Sequence, residues 1–319
     1  MKKKVLICGA TGFIGRNLTE HFSKKGGYEV YAVYNKRSPW WGKEILSVHA
    51  DLINPQEVNS AVKDMDIIIQ AAATTSGVQD IMNRPYIHVT DNAVMNSFIF
   101  RAAHEYKVKH VVFFSCSVMY QSSDSPVREE DFNGNIFPKY FGVGWTKVYI
   151  EKMAEFYSRL GHTKFTVIRH SNIYGPYDKF DLERSHVFGA TITKVLTAKN
   201  NGITIWGKGE EERDLLYVDD LVNFVALALE KQQNLFELVN VGYGRAISVI
   251  ELVQKIIKLS GKKLSIEHDL SKPTIPTHLC LDISKAKRIY NWEPQISLDL
   301  GIQKTIDWYK NEGRFSEVR

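Results

Sequence analysis

The 319-residue chain is 44% hydrophobic and 24% charged, with a formal net charge of +5. This composition is typical of a soluble globular protein and excludes a disordered chain, while the small charge and scattered lysines argue against nucleic-acid binding. No apolar run approaches the roughly 20 residues of a membrane span, and the three cysteines, Cys8, Cys116 and Cys280, lack the spacing of a disulfide framework or a metal site. We therefore expect a cytoplasmic enzyme with no metal and no nucleic-acid or membrane partner.

The first fifteen residues, MKKKVLICGATGFIG, predict a strand, a tight turn and the start of a helix. The apolar run Val5–Cys8 precedes three glycines spaced three residues apart, and a helix is expected over about 15–25. Glycines at this place allow a tight turn and let a pyrophosphate approach the backbone at the helix N-terminus. An ordinary strand-to-helix turn is the weaker alternative. The cofactor contacts expected here are Gly9, Thr11, Gly12, Phe13, Ile14 and Gly15.

A second strand is predicted over Tyr28–Tyr34, and the residues that follow it bear on the choice of cofactor. The end of this strand normally meets the adenosine ribose, where a carboxylate would accept hydrogen bonds from both hydroxyls. This chain has Asn35, Lys36 and Arg37 instead. Two cations without a carboxylate favour a 2′-phosphate, so we predict NADP, with NAD possible and solvated surface cations as the alternative explanation.

Further strands and helices alternate along the chain. Strands are predicted over 48–52, ending in Asp51 and Leu52, over 66–73, ending in Ala71, Ala72 and Ala73, and over 111–115, with a helix at 92–106 before the last. Runs at 167–169 and 216–218 are expected to add sheet edges. The alternation predicts an α/β fold with a doubly wound parallel sheet of the Rossmann type.

The chain is longer than a usual single domain, and two segments do not follow the alternating pattern. We expect residues 1–175 and 214–247 to form the dinucleotide-binding domain. Residues 176–213 and 248–319 are expected to form a smaller C-terminal α/β lobe that binds the substrate.

Several motifs resemble the extended short-chain dehydrogenase/reductase family, the NAD(P)-dependent nucleotide-sugar epimerases, dehydratases and reductases. They are GATGFIG at 9–15, Asp51-Leu52, Ala71-Ala72-Ala73, Asn92, FFSCSVMY at 113–120, Lys147, RHSNIYGPYD at 169–178 and WGKGEEERDLLYVDD at 206–220. Within that family the stretch NIYGPYDKFDLERSHV at 172–187 is similar to the GDP-L-fucose synthases. The resemblance covers nearly the whole chain and implies further cofactor contacts at Asp51, Leu52, Ala71, Ala72, Ala73, Asn92 and Lys147.

The resemblance also implies catalytic positions, and several of them have changed. Family members use a tyrosine four residues before a lysine, yet Val143 stands four residues before Lys147. A valine cannot donate or accept a proton. Cys116, flanked by Ser115 and Ser117, occupies the place of the family serine, and a thiol is the poorer hydrogen-bond donor. The catalytic set implied is Cys116, Ser117, the Val143 position, Lys147, and His186 as an acid during epimerisation.

The remaining implied residues lie in the substrate lobe. They are Asn172, His186, Val187, Lys194, Trp206 and Arg213, which would hold the nucleotide diphosphate and the sugar. Cations suit that role because a diphosphate requires charge-assisted hydrogen bonds. Simpler explanations compete: His186 could line the lobe, Trp206 could be core, Lys147 could be a solvated lysine, and Arg213 could pair with neighbouring glutamates.

The function predicted is an NAD(P)-dependent epimerase or reductase acting on a GDP-linked 4-keto or 4-hydroxy hexose. Its proton would come from Tyr140, Cys116, Ser117 or water, although a packing role is favoured for Tyr140. Different chemistry on the bound sugar, a non-catalytic binding subunit, and an introduced substitution at Val143 stay open. The resemblance further implies a homodimer joined through a four-helix bundle of the helices at 92–106 and 146–159. The sugar, the base and the reaction direction are not determined.

Overall fold

The computed structural model describes residues 1–74, 85–182, 185–272, 274 and 277–312. The strands in this part of the chain are β1 (Lys3–Cys8), β2 (Tyr28–Tyr34), β3 (Leu46–His49), β4 (Ile67–Gln70), β5 (His110–Phe114), β6 (Lys164–His170), β7 (Asn172–Tyr174), β8 (Gly202–Trp206), β9 (Glu212–Tyr217), β10 (Phe236–Val241), β11 (Ala246–Ser248) and β12 (Ser265–Asp269). The α-helices are α1 (Phe13–Lys24), α2 (Pro55–Val62), α3 (Thr90–Glu105), α4 (Phe141–Ser158), α5 (Val187–Thr197), α6 (Val218–Lys231), α7 (Val249–Ser260), α8 (Ser284–Tyr290) and α9 (Leu298–Asn311).

A seven-stranded sheet organises the described residues, in the order β10, β6, β5, β4, β1, β2, β3. Every neighbouring pair is parallel. The strand order reverses between β1 and β4, and in open parallel sheets ligands bind beyond the carboxyl ends of the strands at such a reversal. The predicted doubly wound parallel sheet is confirmed.

Both faces of this sheet are covered, which explains why Val5–Cys8, the buried part of β1, is apolar without interruption. Val5 and Ile7 pack into a core with α1, α6 and α8. Leu6 and Cys8 point the other way, into a core with α2, α3 and α4. Alternate residues of a strand face opposite sides of the sheet, so Val5–Cys8 presents apolar side chains to both cores.

Two smaller sheets lie outside the central one. Strands β11, β9 and β7 form one, and β12 pairs with β8 in the other. Tyr174, Phe188, Ile205 and Leu252 belong to a third core, built from these strands and from α5, α7 and α9. The division of the chain into two domains at the predicted boundaries stays a prediction.

One sequence expectation about the sheet edge is wrong. The run at 216–218 is predicted to add a sheet edge, but Leu216 lies in β9, the middle strand between β11 and β7, and Val218 begins α6. The outer strand beside β6 is β10 instead. Apolar composition predicts a buried strand but does not specify which neighbour it pairs with.

Among the described residues, no helix has both the length and the apolar character needed to cross a membrane. Within the same residues, no cluster of three or more histidine, cysteine, aspartate or glutamate side chains could hold a metal ion.

Candidate active site

The glycine turn between β1 and α1 has no room for larger residues. Gly9 has φ +76°, and a Cβ there would lie 2.7 Å from the backbone of Ala72 at the end of β4. A Cβ on Gly15 would lie 2.0 Å from the Gly9 carbonyl oxygen. No side chain caps α1 at Gly12, so its first-turn amides are available to an anion. These features fit the pyrophosphate of a dinucleotide.

The loop after β2 folds back over this turn. Trp40 donates a hydrogen bond from Nε1 to the Ala10 carbonyl at 3.0 Å. The Arg16 guanidinium lies 4.3 Å from the Trp40 ring centroid and 3.6 Å from that of Tyr177. Cation–π contacts on both faces of Arg16 therefore join the loop to α1 and to the segment after β7. The loop holds Asn35, Lys36 and Arg37, all exposed, beside the predicted adenosine end of the site.

Two other predicted cofactor positions hold backbone in place. Asn92 is buried on α3, where Oδ1 accepts from Thr74 N at 3.0 Å and Nδ2 donates to Thr74 O at 3.0 Å and to His88 O at 2.9 Å. The Asp51 carboxylate accepts from Ile53 N at 3.2 Å, and Leu52 is buried. Direct contact of these residues with a cofactor stays a prediction.

Lys147 lies at the carboxyl end of the central sheet. Its buried Nζ donates to Phe114 O, the last residue of β5, at 2.7 Å and stands 4.8 Å from the Phe113 ring centroid. Burial lowers the pKa of Lys147. Burial also raises the pKa of the neighbouring Cys116 thiol, although the Lys147 charge opposes that shift. Cys116 is therefore a neutral thiol at neutral pH.

Val143 and Tyr140 stand at the start of α4. Val143 lies one helical turn before Lys147 and is partly exposed. Tyr140 ends the short 3₁₀ turn Pro138–Tyr140, and its ring is partly buried. Burial raises the pKa of Tyr140. The charge of Arg213 lowers this pKa, and Cys116 raises it. Tyr140 thus lies near two predicted site residues, Arg213 and Cys116.

A histidine occupies the end of the adjacent strand. His170 is the last residue of β6, and its ring centroid lies 6.2 Å from that of Phe114. Its Nδ1 is 2.7 Å from the Ser171 carbonyl oxygen. Burial lowers the pKa of His170 to about 4; the Ser171 hydrogen bond opposes the shift, and Lys147 and His186 add to it. His170 and Lys147 therefore both contact Phe114, and His186 acts on the same histidine.

A buried network of hydrogen bonds joins α4 to the ends of β5 and β6 next to this cluster. Glu151 lies one turn after Lys147 on α4 and accepts from Ser115 Oγ at 2.5 Å. Arg169 donates to the same carboxylate from Nε at 3.0 Å and from Nη2 at 2.7 Å. The Arg169 guanidinium also donates to Tyr120 Oη at 2.9 Å. Ends of β5 and β6 are thereby tied to α4.

The model for the family described as NAD dependent epimerase/dehydratase matches residues 5–242. The chain belongs to this family. The match confirms the predicted family, fold and enzyme class, and with them a nicotinamide dinucleotide as the cofactor.

Named relatives resemble this epimerase/dehydratase over nearly its full length. GDP-L-colitose synthase of Yersinia pseudotuberculosis is 27% identical over 97% of this chain and 98% of its own. GDP-L-fucose synthase of Escherichia coli K12 is 28% identical over 98% of this chain and 99% of its own. The UDP-glucose 4-epimerase of Thermotoga maritima, solved with UDP-glucose, has a TM-score of 0.86 at 25% identity and covers 96% of this chain and 98% of its own.

The predicted substrate residues of this epimerase/dehydratase are spread over several elements. Lys194, on α5, donates to Thr204 O of β8 at 2.8 Å, and Trp206 ends that strand with 39% of its surface exposed. Arg213 Nη1 donates to Thr277 O at 3.0 Å and to Thr277 Oγ1 at 2.7 Å. Trp206 is therefore not a core residue, which was the alternative explanation for it, because so much of its surface is exposed.

Three other substrate positions lie around the entrance to α5 and the start of β7. His186 is exposed at the N-cap of α5, and Val187 is the first residue of that helix. Asn172 Nδ2 donates to Asp214 O at 3.3 Å, which joins β7 to β9. Contact of these side chains with a sugar stays a prediction.

Sequence reasoning missed His170 and Trp40 in this epimerase/dehydratase. The signal for His170 was present, since a histidine follows the buried run of β6 directly inside the quoted RHSNIYGPYD motif. A polar residue at the carboxyl end of a parallel strand is placed where ligands bind. Trp40 carried no such signal, because its contact with Ala10 joins residues 30 positions apart.

Proposed function

We propose that this epimerase/dehydratase is an NAD(P)-dependent enzyme that epimerises or reduces a GDP-linked hexose at a 4-keto or 4-hydroxy carbon. The observation that carries the proposal is the placement of Lys147, at the carboxyl ends of the central strands beside Cys116 and His170. The GDP-sugar relatives support the nucleotide class.

Each residue of the cluster has a separate task under this proposal. A bound nicotinamide cofactor would supply hydride transfer at the sugar C4. Lys147 would hold the nicotinamide ribose, because an ammonium has three donors and Phe114 O occupies one. Cys116 or Ser117 would hydrogen-bond the sugar C4 oxygen, and His186, exposed at the mouth of the lobe, would act as an acid at a sugar carbon.

NADP is the cofactor we propose, with NAD as the alternative. Lys36 and Arg37 are exposed on a loop that the Trp40 hydrogen bond and the Arg16 stacking hold in place. A 2′-phosphate gains charge-assisted hydrogen bonds from such cations. Asn35 brings no negative charge that would repel it.

The nucleotide diphosphate would be held by Lys194 and Arg213, with Trp206, Asn172 and Val187 lining the sugar site. Lys194 has donors left after its bond to Thr204 O. Burial lowers the pKa of Lys194, and a bound diphosphate would favour the charged form of its ammonium.

A second candidate function is a non-catalytic subunit that binds cofactor and nucleotide sugar. The observation that favours it is Val143, which leaves the position one turn before Lys147 without a proton donor. Both candidates predict binding of NADP(H), so failure of the purified chain to bind NADP(H) and NAD(H) would refute both.

Val143→Tyr separates the two candidates. Hydride transfer to a GDP-linked 4-keto-6-deoxyhexose is followed at 340 nm for the natural chain and the variant. Equal rates mean that another residue moves the proton, as the enzymatic proposal requires. Activity confined to Val143→Tyr supports the non-catalytic subunit or an introduced substitution.

We also propose a homodimer formed through α3 and α4. The exposed aromatic side chains Phe141, Trp145, Tyr149 and Phe156 lie four, four and seven residues apart on α4, which places them along one side of the helix. Such a stripe suits a helix–helix interface. Sedimentation of Tyr149→Lys should show a monomer where the natural chain is dimeric. A cytoplasmic location also stays a prediction.

A further inference from the structure

The place of His170 in the strand order puts it beside the reacting end of the site. It ends β6, and β6 pairs with β5 in a register that sets Ile168 opposite Phe114. The Phe114 carbonyl holds Lys147 Nζ at 2.7 Å, and the Phe114 ring centroid lies 6.2 Å from that of His170. His170, at the end of β6, and the Lys147 ammonium, which is bound to the end of β5, therefore lie at the same edge of the sheet.

The hydrogen bond of His170 determines which ring nitrogen can act. Nδ1 lies 2.7 Å from the Ser171 carbonyl oxygen. A carbonyl only accepts, so Nδ1 carries the proton and Nε2 presents a lone pair. The basic groups that act on the ring are Lys147 from α4 and His186 from the start of α5; each disfavours a second proton on His170, and burial does so more strongly. At neutral pH His170 is a neutral base.

The thiol and the phenol of the cluster are in the opposite protonation state. Burial raises the pKa of Cys116 and that of Tyr140, so the thiol and the phenol both keep their protons at neutral pH. Val143 has no proton to move. His170 thus has the lone pair that abstraction of a hydroxyl proton requires. Burial lowers the pKa of His186 as well, but it is the His170 ring that contacts Phe114, whose carbonyl holds Lys147.

We propose that His170 replaces the missing phenol as the general base for a sugar that enters with a C4 hydroxyl. Nε2 takes the hydroxyl proton while the C4–H electron pair leaves as hydride to the oxidised nicotinamide, so that C4 becomes a carbonyl and His170 an imidazolium. The reverse step returns the proton to the C4 oxygen. This inference rests on the proposed function and narrows its substrate to the 4-hydroxy class.

The first test measures the imidazole itself. Nitrogen-15 NMR of the full chain, with the His170 signals assigned by their loss in His170→Gln, should show the Nδ1–H tautomer and no protonation above pH 5. Addition of NADP⁺ with GDP-mannose should shift these signals, whereas those of the exposed His162 should stay unchanged. An Nε2–H tautomer, or signals unmoved by both compounds, would overturn the proposal.

The second test measures hydride transfer at 340 nm from GDP-mannose and GDP-L-fucose to NADP⁺ and NAD⁺ in single turnovers. His170→Gln should lower the rate about 100-fold or more, the range for loss of a general base, with cofactor affinity within twofold. His162→Gln is the matched control. Val143→Tyr in the His170→Gln background, or added imidazole with His170→Ala, should restore part of the rate, which a merely structural role would not allow.

The possible results distinguish a failure of the His170 role from a failure of the proposed function. A loss below threefold in His170→Gln overturns the role of His170 and leaves the proposed function standing. If the natural chain oxidises neither sugar but reduces a GDP-linked 4-keto sugar with NADPH, the 4-hydroxy substrate class and the base role both fail. A chain that binds neither cofactor refutes the proposed function itself, and the base role with it.

Discussion

The buried ion pair beneath the site gives the sharpest stability prediction. Glu151 and Arg169 are each only 4% exposed at the side chain and lie 2.7 Å apart. The carboxylate accepts hydrogen bonds from Ser115 Oγ, Arg169 Nε and Arg169 Nη2. Glu151→Gln keeps the shape but removes the charge, and leaves the guanidinium without its counter-ion.

The expected cost follows from that burial. Removing one partner of a buried pair costs about 3–5 kcal/mol, because the remaining charge is uncompensated. A domain is stable by only about 5–15 kcal/mol, so a large share of the free energy of unfolding would be lost. Urea denaturation followed by circular dichroism measures it, with the midpoint moving to lower urea at an unchanged slope.

The control is an ion pair of similar length at the surface. Lys287 and Glu293 lie 2.7 Å apart with side chains 64% and 53% exposed. Water screens such a pair, and Glu293→Gln should cost about 0–1 kcal/mol. If Glu151→Gln costs no more than Glu293→Gln, the buried pair does not support the site as argued here.

Three further outcomes are expected. Gly15→Ala should weaken NADPH binding, measured by fluorescence, at least about tenfold, because its Cβ would lie 2.0 Å from the Gly9 carbonyl oxygen, whereas Gly26→Ala meets no atom within 4 Å and should not. Arg37→Ala should lower affinity for NADP⁺ but not for NAD⁺ in calorimetry; an equal loss for both would refute the 2′-phosphate contact. Burial raises the pKa of Asp178 from 3.8 to about 7, so the folded state disfavours its ionised form. Asp178→Asn should therefore be more stable than the natural chain at pH 8 by about 1 kcal/mol or more and equally stable at pH 4, which urea denaturation at the two pH values will check.

Local patterns were sufficient for the framework of the site. An apolar run followed by spaced glycines predicts the strand, turn and helix of the pyrophosphate end, and the structure has all three at 3–8, 9–12 and 13–24. These features depend on steric rules that act within a few residues. The same holds for Val143 and Lys147, whose separation of one helical turn follows from their positions alone.

Partners distant in sequence could not be predicted in the same way. The strand at 212–217 pairs with β7 rather than with the central sheet. Trp40 contacts a carbonyl 30 residues away, and the Asn92 side-chain amide hydrogen-bonds to the backbone of Thr74 and His88. Each pairing depends on how helices and sheets pack, and composition does not encode that geometry.

The sequence by itself determined the class of this protein, because the glycine turn and the alternation of strands and helices follow from local stereochemistry. Both features agree with membership of the NAD dependent epimerase/dehydratase family. It also showed that the usual phenol is absent at Val143. Only the tertiary structure decided which groups surround that position. Burial and neighbouring charges keep His170 a neutral base while Cys116 and Tyr140 stay protonated, and protonation depends on an environment assembled from residues far apart in the chain.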